Sequence, residues 1–388
     1  MNKKRPFRSR GFFLTMAVAA WAAGGASATN PSIDWLQLSS AAGDLPAPPG
    51  GSTMQTGALT GDFDGDGEGN FTQTVLTKSH GWHEARLADL DGDGDLDVLN
   101  KPYNWQTPRV DIWLNNGTRR GARGIGTSAS FHGPVGLELY SLREIFAKNV
   151  PLGLQFARNF GFVEVELAGT YGIPPEKYRV LLDRYGLKPI GAIYDYNLYA
   201  NEPEKIIQEA KALGLAYAGC AWIPHDGPLT EEAVKKAAAT FNKAGELLAK
   251  NGIQFFYHNH GYEFVPCKEG TLFDVLMRET DPRLVVFEMD VFWVVHPAQD
   301  PVALLKKYPN RWRLFHVKDM RNTTQTGLLT GGTDMKNDVS IGSGKIDIAA
   351  ALREATNAGV EHFFIEDESP DVVEQIPLSL RCLGSLQW

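Results

Sequence analysis

The sequence lacks a basic patch, a cysteine framework and a long apolar run, and each absence removes a class of function. Lys and Arg total 38 against 46 Asp and Glu, for a formal net charge of -8. The one dense basic cluster is Lys3, Lys4, Arg5, Arg8 and Arg10 at the start of the chain. Gripping nucleic-acid phosphates needs clustered cations, so nucleic acid is excluded as a partner. Three cysteines, Cys220, Cys267 and Cys382, are too few and too scattered for a disulfide framework or a cysteine-rich zinc site. The Gly11–Ala23 apolar run is shorter than the roughly 20 residues that span a bilayer. No Gly-x-Gly-x-x-Gly opens the first helix of the α/β part, which argues against a dinucleotide fold. What remains, 388 residues at 43% hydrophobic and 22% charged, is ordinary globular protein with room for more than one domain.

The basic cluster, the Gly11–Ala23 run and the small residues Ala26-Ser27-Ala28 follow one another as in a secretory signal peptide. The expectation is cleavage after Ala28, a periplasmic or secreted mature protein, and no transmembrane segment once residues 1–28 are removed.

Residues 29–130 are rich in Gly, Asp, Asn and Pro, with short apolar alternations, and read as strands and loops. Two stretches repeat one pattern, with Asp62, Asp64, Asp66 and Asn70 in the first and Asp89, Asp91, Asp93 and Asp97 in the second. Oxygen ligands at alternate positions, with glycines allowing a tight turn, suit a calcium ion. Leu96–Leu99 and Val110–Leu114 look like strands, so the flanking helices of an EF-hand are missing. These loops resemble FG-GAP or VCBS repeats, the calcium-loop blades of β-propellers. About a hundred residues cannot supply the four or more blades of a propeller, so this is expected to be a small all-β add-on. Gly121–His132 reads as a linker.

From Pro134 onward, strand-like runs alternate with amphipathic helical runs. Strands are predicted at Val135–Leu139, Val163–Leu167, Pro189–Ala192, Tyr217–Ala221, Gln254–His258, Leu284–Asp290, Arg313–Val317 and His362–Ile365, each followed by a helix. Eight such units in about 255 residues predict an α/β fold, a closed (β/α)8 TIM barrel over residues 131–388.

Several strands turn polar at their C-terminal ends, where a parallel barrel keeps its ligands. In Phe255–Phe264 the alternation puts His258 and His260 on one strand face. With Asp290, His316 and Glu366, His258 forms a set of two imidazoles and two carboxylates, which suits Mn, Zn, Co or Fe as a divalent metal rather than Mg or Ca. Glu166 and Glu263 are the acid–base candidates, His260 and Lys318 are placed to hold ligand oxygens, and Trp222 and Trp293, which follow strands, to stack on the face of a ring.

Gly136–Arg143, Val165–Gly169, His258-Asn259-His260, His316–Asp319 and Gly342–Asp347 are similar to motifs of the sugar phosphate isomerase/epimerase family, the xylose-isomerase-like TIM barrels. The resemblance covers about Pro134 to Trp388. It implies a divalent metal at the barrel mouth and isomerase, epimerase or dehydratase chemistry on a sugar, keto-sugar or cyclitol, by proton abstraction next to a carbonyl. Epimerases of that family usually carry glutamate where His258 stands, so the likeness runs to the dehydratase-like branch. The competing readings are a carbohydrate-binding protein on a catalytically inactive barrel and a calcium-dependent adhesion module.

Overall fold

The computed structural model describes residues 33–39, 82–88, 97–102, 110–118 and 124–388. The expected signal peptide, the first calcium loop and residues Asp89, Asp91 and Asp93 of the second lie outside them. Four N-terminal strands, β1 (Ile33–Ser39), β2 (Trp82–Ala88), β3 (Asp97–Pro102) and β4 (Asp111–Thr118), pair antiparallel in the order β1-β4-β3-β2. Asp97 opens β3 and is buried.

The stretch expected to be a linker is ordered against the barrel from residue 124. Phe131 is buried with its ring edge-on to Phe363, and Ser130 Oγ accepts from the Trp388 amide. This ties the entry of the barrel to its C-terminus.

Eight parallel strands close into a barrel: β5 (Val135–Glu138), β6 (Glu164–Leu167), β7 (Lys188–Ile193), β8 (Tyr217–Cys220), β9 (Gln254–His258), β10 (Val285–Asp290), β11 (Trp312–Val317) and β12 (His362–Ile365). They follow chain order around the barrel, and β12 pairs with β5 to seal it. A helix follows each in turn: α1 (Val150–Asn159), α2 (Pro175–Arg184), α3 (Pro203–Leu213), α4 (Glu231–Ala249), α5 (Leu272–Glu279), α6 (Pro301–Lys307), α7 (Ile348–Asn357) and α8 (Val372–Gly384).

The helices form because their apolar positions recur every three to four residues, and the first turns of α1, α4, α5, α6 and α7 are capped by a side chain. In α4, Val234, Ala237, Ala238, Phe241, Ala244, Gly245 and Leu248 are buried, and the Thr230 side chain accepts from the Ala233 amide. Phe241 packs on Phe255 and Tyr257 with ring centroids 4.9 and 5.1 Å away. Truncating such a residue to alanine typically costs about 3–5 kcal/mol.

The two-residue period of the strands builds the interior. Phe255, Tyr257, Phe287, Met289, Phe315 and Val317 point outward into the layer shared with the helices. Ile190, Tyr217, Phe256, Val286, Leu314 and Phe364 point inward as a plug. Small residues make room for it, since a Cβ at Gly136 would lie 2.6 Å from Phe364 and one at Gly219 2.2 Å from Phe256. Two positions further along the same inward faces come Glu138, His258, Glu288, His316 and Glu366, all at the C-terminal end of the barrel.

Candidate functional site

The mouth of the barrel holds a cavity of about 410 Å³, within the range of small-ligand sites. Its floor carries His258, His316, Glu366 and Glu138, and Lys318 stands beside them. Trp222 and Trp293, as expected, line the wall with His260. Trp222 is stacked on His225 with centroids 5.2 Å apart, and Trp293 lies 5.3 Å from His260.

The four residues expected to hold a metal converge. Asp290 Oδ2 lies 3.9 Å from His258 Nε2 and 4.0 Å from His316 Nδ1, and Glu366 Oε2 lies 3.0 Å from His316 Nδ1. Asp290 caps the short helix Val291–Val295, with Oδ1 accepting from the Trp293 amide at 3.0 Å. Its other oxygen, Oδ2, is buried with no hydrogen-bond partner. Asn259 locks this strand end to its neighbour, with its side-chain oxygen accepting from the Asp290 amide and its NH2 donating to the Asp290 carbonyl. An orphaned carboxylate oxygen between two imidazoles and a second carboxylate fits a divalent metal of the borderline class.

Burial dominates the electrostatics. It pushes the Asp290 carboxyl up to about 7, against the pull of Lys318, and lowers His258 and His260 well below the usual imidazole range. His316 is buried too, yet the carboxylates of Glu288 and Glu366 hold it well above its ordinary value. Burial works equally against Lys318, but it is held charged by Asp338, Glu366, Glu368 and Asp290, whose oxygens lie 3.8, 2.9, 2.8 and 3.5 Å from Nζ. Lys318 in turn overcomes the effect of burial on Glu366 and keeps that carboxyl well below its usual range.

The two expected bases stand elsewhere. Glu166 is fully buried behind His316, with Oε2 2.7 Å from His316 Nε2, and does not line the cavity. Glu263 is also buried and off the cavity: it accepts from the Tyr257 hydroxyl at 2.6 Å and from the His260 amide at 3.0 Å. Burial raises them to about 8 and about 7. Both thus contact other site residues and not the cavity.

Several site residues escaped the sequence reading. Glu138 ends β5 with Oε2 buried and unpartnered at the cavity floor. Glu288 sits between the two imidazoles, Oε2 at 3.1 Å from His258 Nδ1 and Oε1 at 3.2 Å from His316 Nε2. Glu288 lies two residues before Asp290, and Glu368, which also lines the cavity, two residues after Glu366, so the same alternation pointed to these two. Asp338 and the segment Gly331–Thr333, which close the cavity from the long connection after β11, left no such signal.

A parallel eight-stranded barrel with a histidine–carboxylate cluster at its C-terminal mouth defines a class of α/β barrel sites. Residues 154–385 match the xylose isomerase-like TIM barrel family, and the chain belongs to it. An inosose dehydratase of Clostridium tetani is 38% identical over 92 residues, which are 24% of this chain and 30% of that protein. The chain thus spans under a third of that relative's length. Among solved structures, a sugar phosphate isomerase/epimerase from Parabacteroides distasonis superposes with a TM-score of 0.56 at 24% identity, covering 69% of this chain and 96% of that one. The IOLI protein with a bound zinc atom superposes at 0.52 and 14% identity, over 64% and 95%. These two likenesses are of fold.

Proposed function

We propose that the barrel is a metal-dependent enzyme that moves a proton next to a carbonyl group on a polyhydroxylated small molecule, a sugar, keto-sugar or cyclitol, in an isomerase, epimerase or dehydratase reaction. The observation that carries this reading is the buried Asp290 Oδ2, which has no hydrogen bond and lies within about 4 Å of ring nitrogens of His258 and His316, two residues of the cavity floor, and 3.5 Å from Lys318 Nζ. His258, Asp290, His316 and Glu366 would hold the ion. A bound divalent ion supplies Lewis acidity, polarising a carbonyl and its neighbouring hydroxyl.

The chain's own groups do the rest. Trp222 and Trp293 offer aromatic faces to the apolar side of a ring, and exclude water from it. His260 Nδ1 and Glu138 Oε2 are buried atoms with no partner, the former on a wall residue and the latter at the floor, so they are the groups free to take or give a proton at a substrate carbon or oxygen. Lys318 keeps Glu366 ionised and presents the site's one ammonium to a substrate oxygen. Kinship with inosose dehydratases, and the imidazole His258 in place of a carboxylate, favour the dehydratase side of this chemistry.

The test joins metal analysis to solvent exchange. Purified protein should carry a stoichiometric transition metal and exchange carbon-bound hydrogen of an inosose or keto-sugar in heavy water. His316→Ala and Glu366→Ala should lose metal and exchange together. Metal bound with no exchange across such a panel would leave a carbohydrate-binding protein instead.

A further inference from the structure

Each of the two site histidines has carboxylates on both sides, so two ion positions compete. On one side His258 Nε2 and His316 Nδ1 face Asp290 and Glu366. On the other, His258 Nδ1 and His316 Nε2 face Glu288 and Glu166. Three members of each set have the spacing of metal ligands, Asp290, His316 and Glu366 on the first side and His258, Glu288 and His316 on the second. The first opens on the cavity through Glu366, the one of the four carboxylates that lines it, while Asp290, Glu288 and Glu166 do not.

An ionised carboxylate only accepts hydrogen bonds, so the nitrogen that touches it must carry the proton. With Glu288 at 3.1 Å, His258 then bears its hydrogen on Nδ1 and leaves the Nε2 lone pair facing Asp290. His316 meets a carboxylate at each nitrogen, Glu166 at 2.7 Å on Nε2 and Glu366 at 3.0 Å on Nδ1, and of its two hydrogens the one on Nδ1, beside Glu366 and Asp290, is the one a metal would displace. Glu288 faces both rings at once, hydrogen-bonded through Oε2 to His258 Nδ1, with Oε1 3.2 Å from a His316 Nε2 whose hydrogen bond goes to Glu166. The register of the barrel enforces this, since Glu288 pairs with His258 and Asp290 with His316 across adjacent strands.

We propose that Glu288, with Glu166 beside it, is a positioning residue that decides which nitrogen each histidine turns to a metal, Nε2 for His258 and Nδ1 for His316. This rests on the metal-dependent reading above. Carboxylates that hold the far nitrogen of a ligating histidine are worth about 10–100-fold in metal affinity or activity.

The experiment uses ring-nitrogen NMR on the full chain labelled with 15N-histidine. In the metal-free wild type, His258 should be protonated at Nδ1; after loading with 113Cd, cadmium coupling should fall on His258 Nε2 and His316 Nδ1. Glu288→Gln is nearly isosteric, but an amide has one acceptor oxygen, so its NH2 must face one of the two ring N–H groups. It should disturb the histidine tautomers and weaken zinc binding about 10–100-fold, with Glu288→Asp recovering part of the loss. Protonation of His258 at Nε2, cadmium coupling to His258 Nδ1, or a Glu288→Gln protein with unchanged tautomers and unchanged zinc affinity would each overturn the proposal. Should Glu288→Gln fail to fold, the wild-type spectra decide. A wild type that takes up no metal at all would sink the metal-dependent reading, while its His258 tautomer would still judge this one.

Discussion

At the scale of single residues, the site shows how similar side chains acquire different work from their surroundings. Glu138, Glu166, Glu263, Glu288 and Glu366 are all buried or nearly so, yet only Glu138 and Glu366 reach the cavity. Glu263 is held by a tyrosine hydroxyl and a backbone amide, so its task is to fix where His260 stands. Glu263→Gln keeps one acceptor oxygen but turns an NH2 group toward one of those donors. It should therefore leave the metal bound and lower turnover by about 10–100-fold, without shifting either limb of the pH–rate profile. Loss of a limb together with a larger drop, the signature of deleting a general base, would return Glu263 to the chemistry itself.

At the scale of elements, the segment after β11 is the part whose sequence says least and whose structure does most. Asp319 gathers it. Its two oxygens accept from the amides of Gly342 and Gly344 at 2.9 and 2.8 Å and from those of Met320 and Ile346 at 2.7 and 3.1 Å. The glycine-rich Gly342–Asp347 motif is thus a cradle for a carboxylate of the chain's own. Gly344 is required for close approach, because a Cβ there would lie 2.3 Å from both Asp319 Oδ1 and the Met320 carbonyl oxygen. Gly344→Ala should destabilise the protein by about 1–3 kcal/mol in urea unfolding, the usual cost of forcing atoms into a packed site. The segment that carries Gly331, Thr333 and Asp338 over the cavity is anchored through this cradle, so substrate affinity should fall in the same variant.

At the scale of the whole molecule, the barrel mouth concentrates acid groups that prefer their protons. Burial raises Glu166 and Asp338 to about 8, and Asp290 and Glu263 to about 7, from 4.5 for glutamate and 3.8 for aspartate. Between those ordinary and raised values the folded protein binds more protons than the unfolded chain, so the unfolding free energy falls as pH rises. His316, raised despite its burial, adds to the same trend, its contribution being lost as pH climbs through its folded value. His258 and His260, held below their ordinary range, pull the other way, because only the unfolded chain protonates them near pH ~6. The four raised carboxyls and His316 outnumber them, so the metal-free protein should be more stable near pH ~5.5 than near pH ~8. Divalent metal competes with protons for the same atoms, so zinc should stabilise more at the higher pH, which urea titrations with chelator and with zinc will show. A metal-free stability that rises across this range would contradict the burial of these groups.

The sequence by itself determined the alternation of strands and helices, the inward face of each strand and the convergence of His258, Asp290, His316 and Glu366. These follow from local periods of two and 3.6 residues, and from the rule that a parallel barrel exposes the C-terminal ends of its strands. It also singled out Trp222 and Trp293, each within a few residues of a strand's C-terminal end, as aromatics near the barrel mouth. Only the tertiary structure decided that Glu166 and Glu263 are shut away from the cavity, that Glu288 stands between the two imidazoles, and that Gly331–Thr333 closes the mouth. The reason is physical: a strand's own pattern says which way a side chain points, but what it meets depends on the register between neighbouring strands and on segments far away in the chain. Glu288 meets His258 and His316 from the strands on either side of β10, and no pattern within β10 contains that fact.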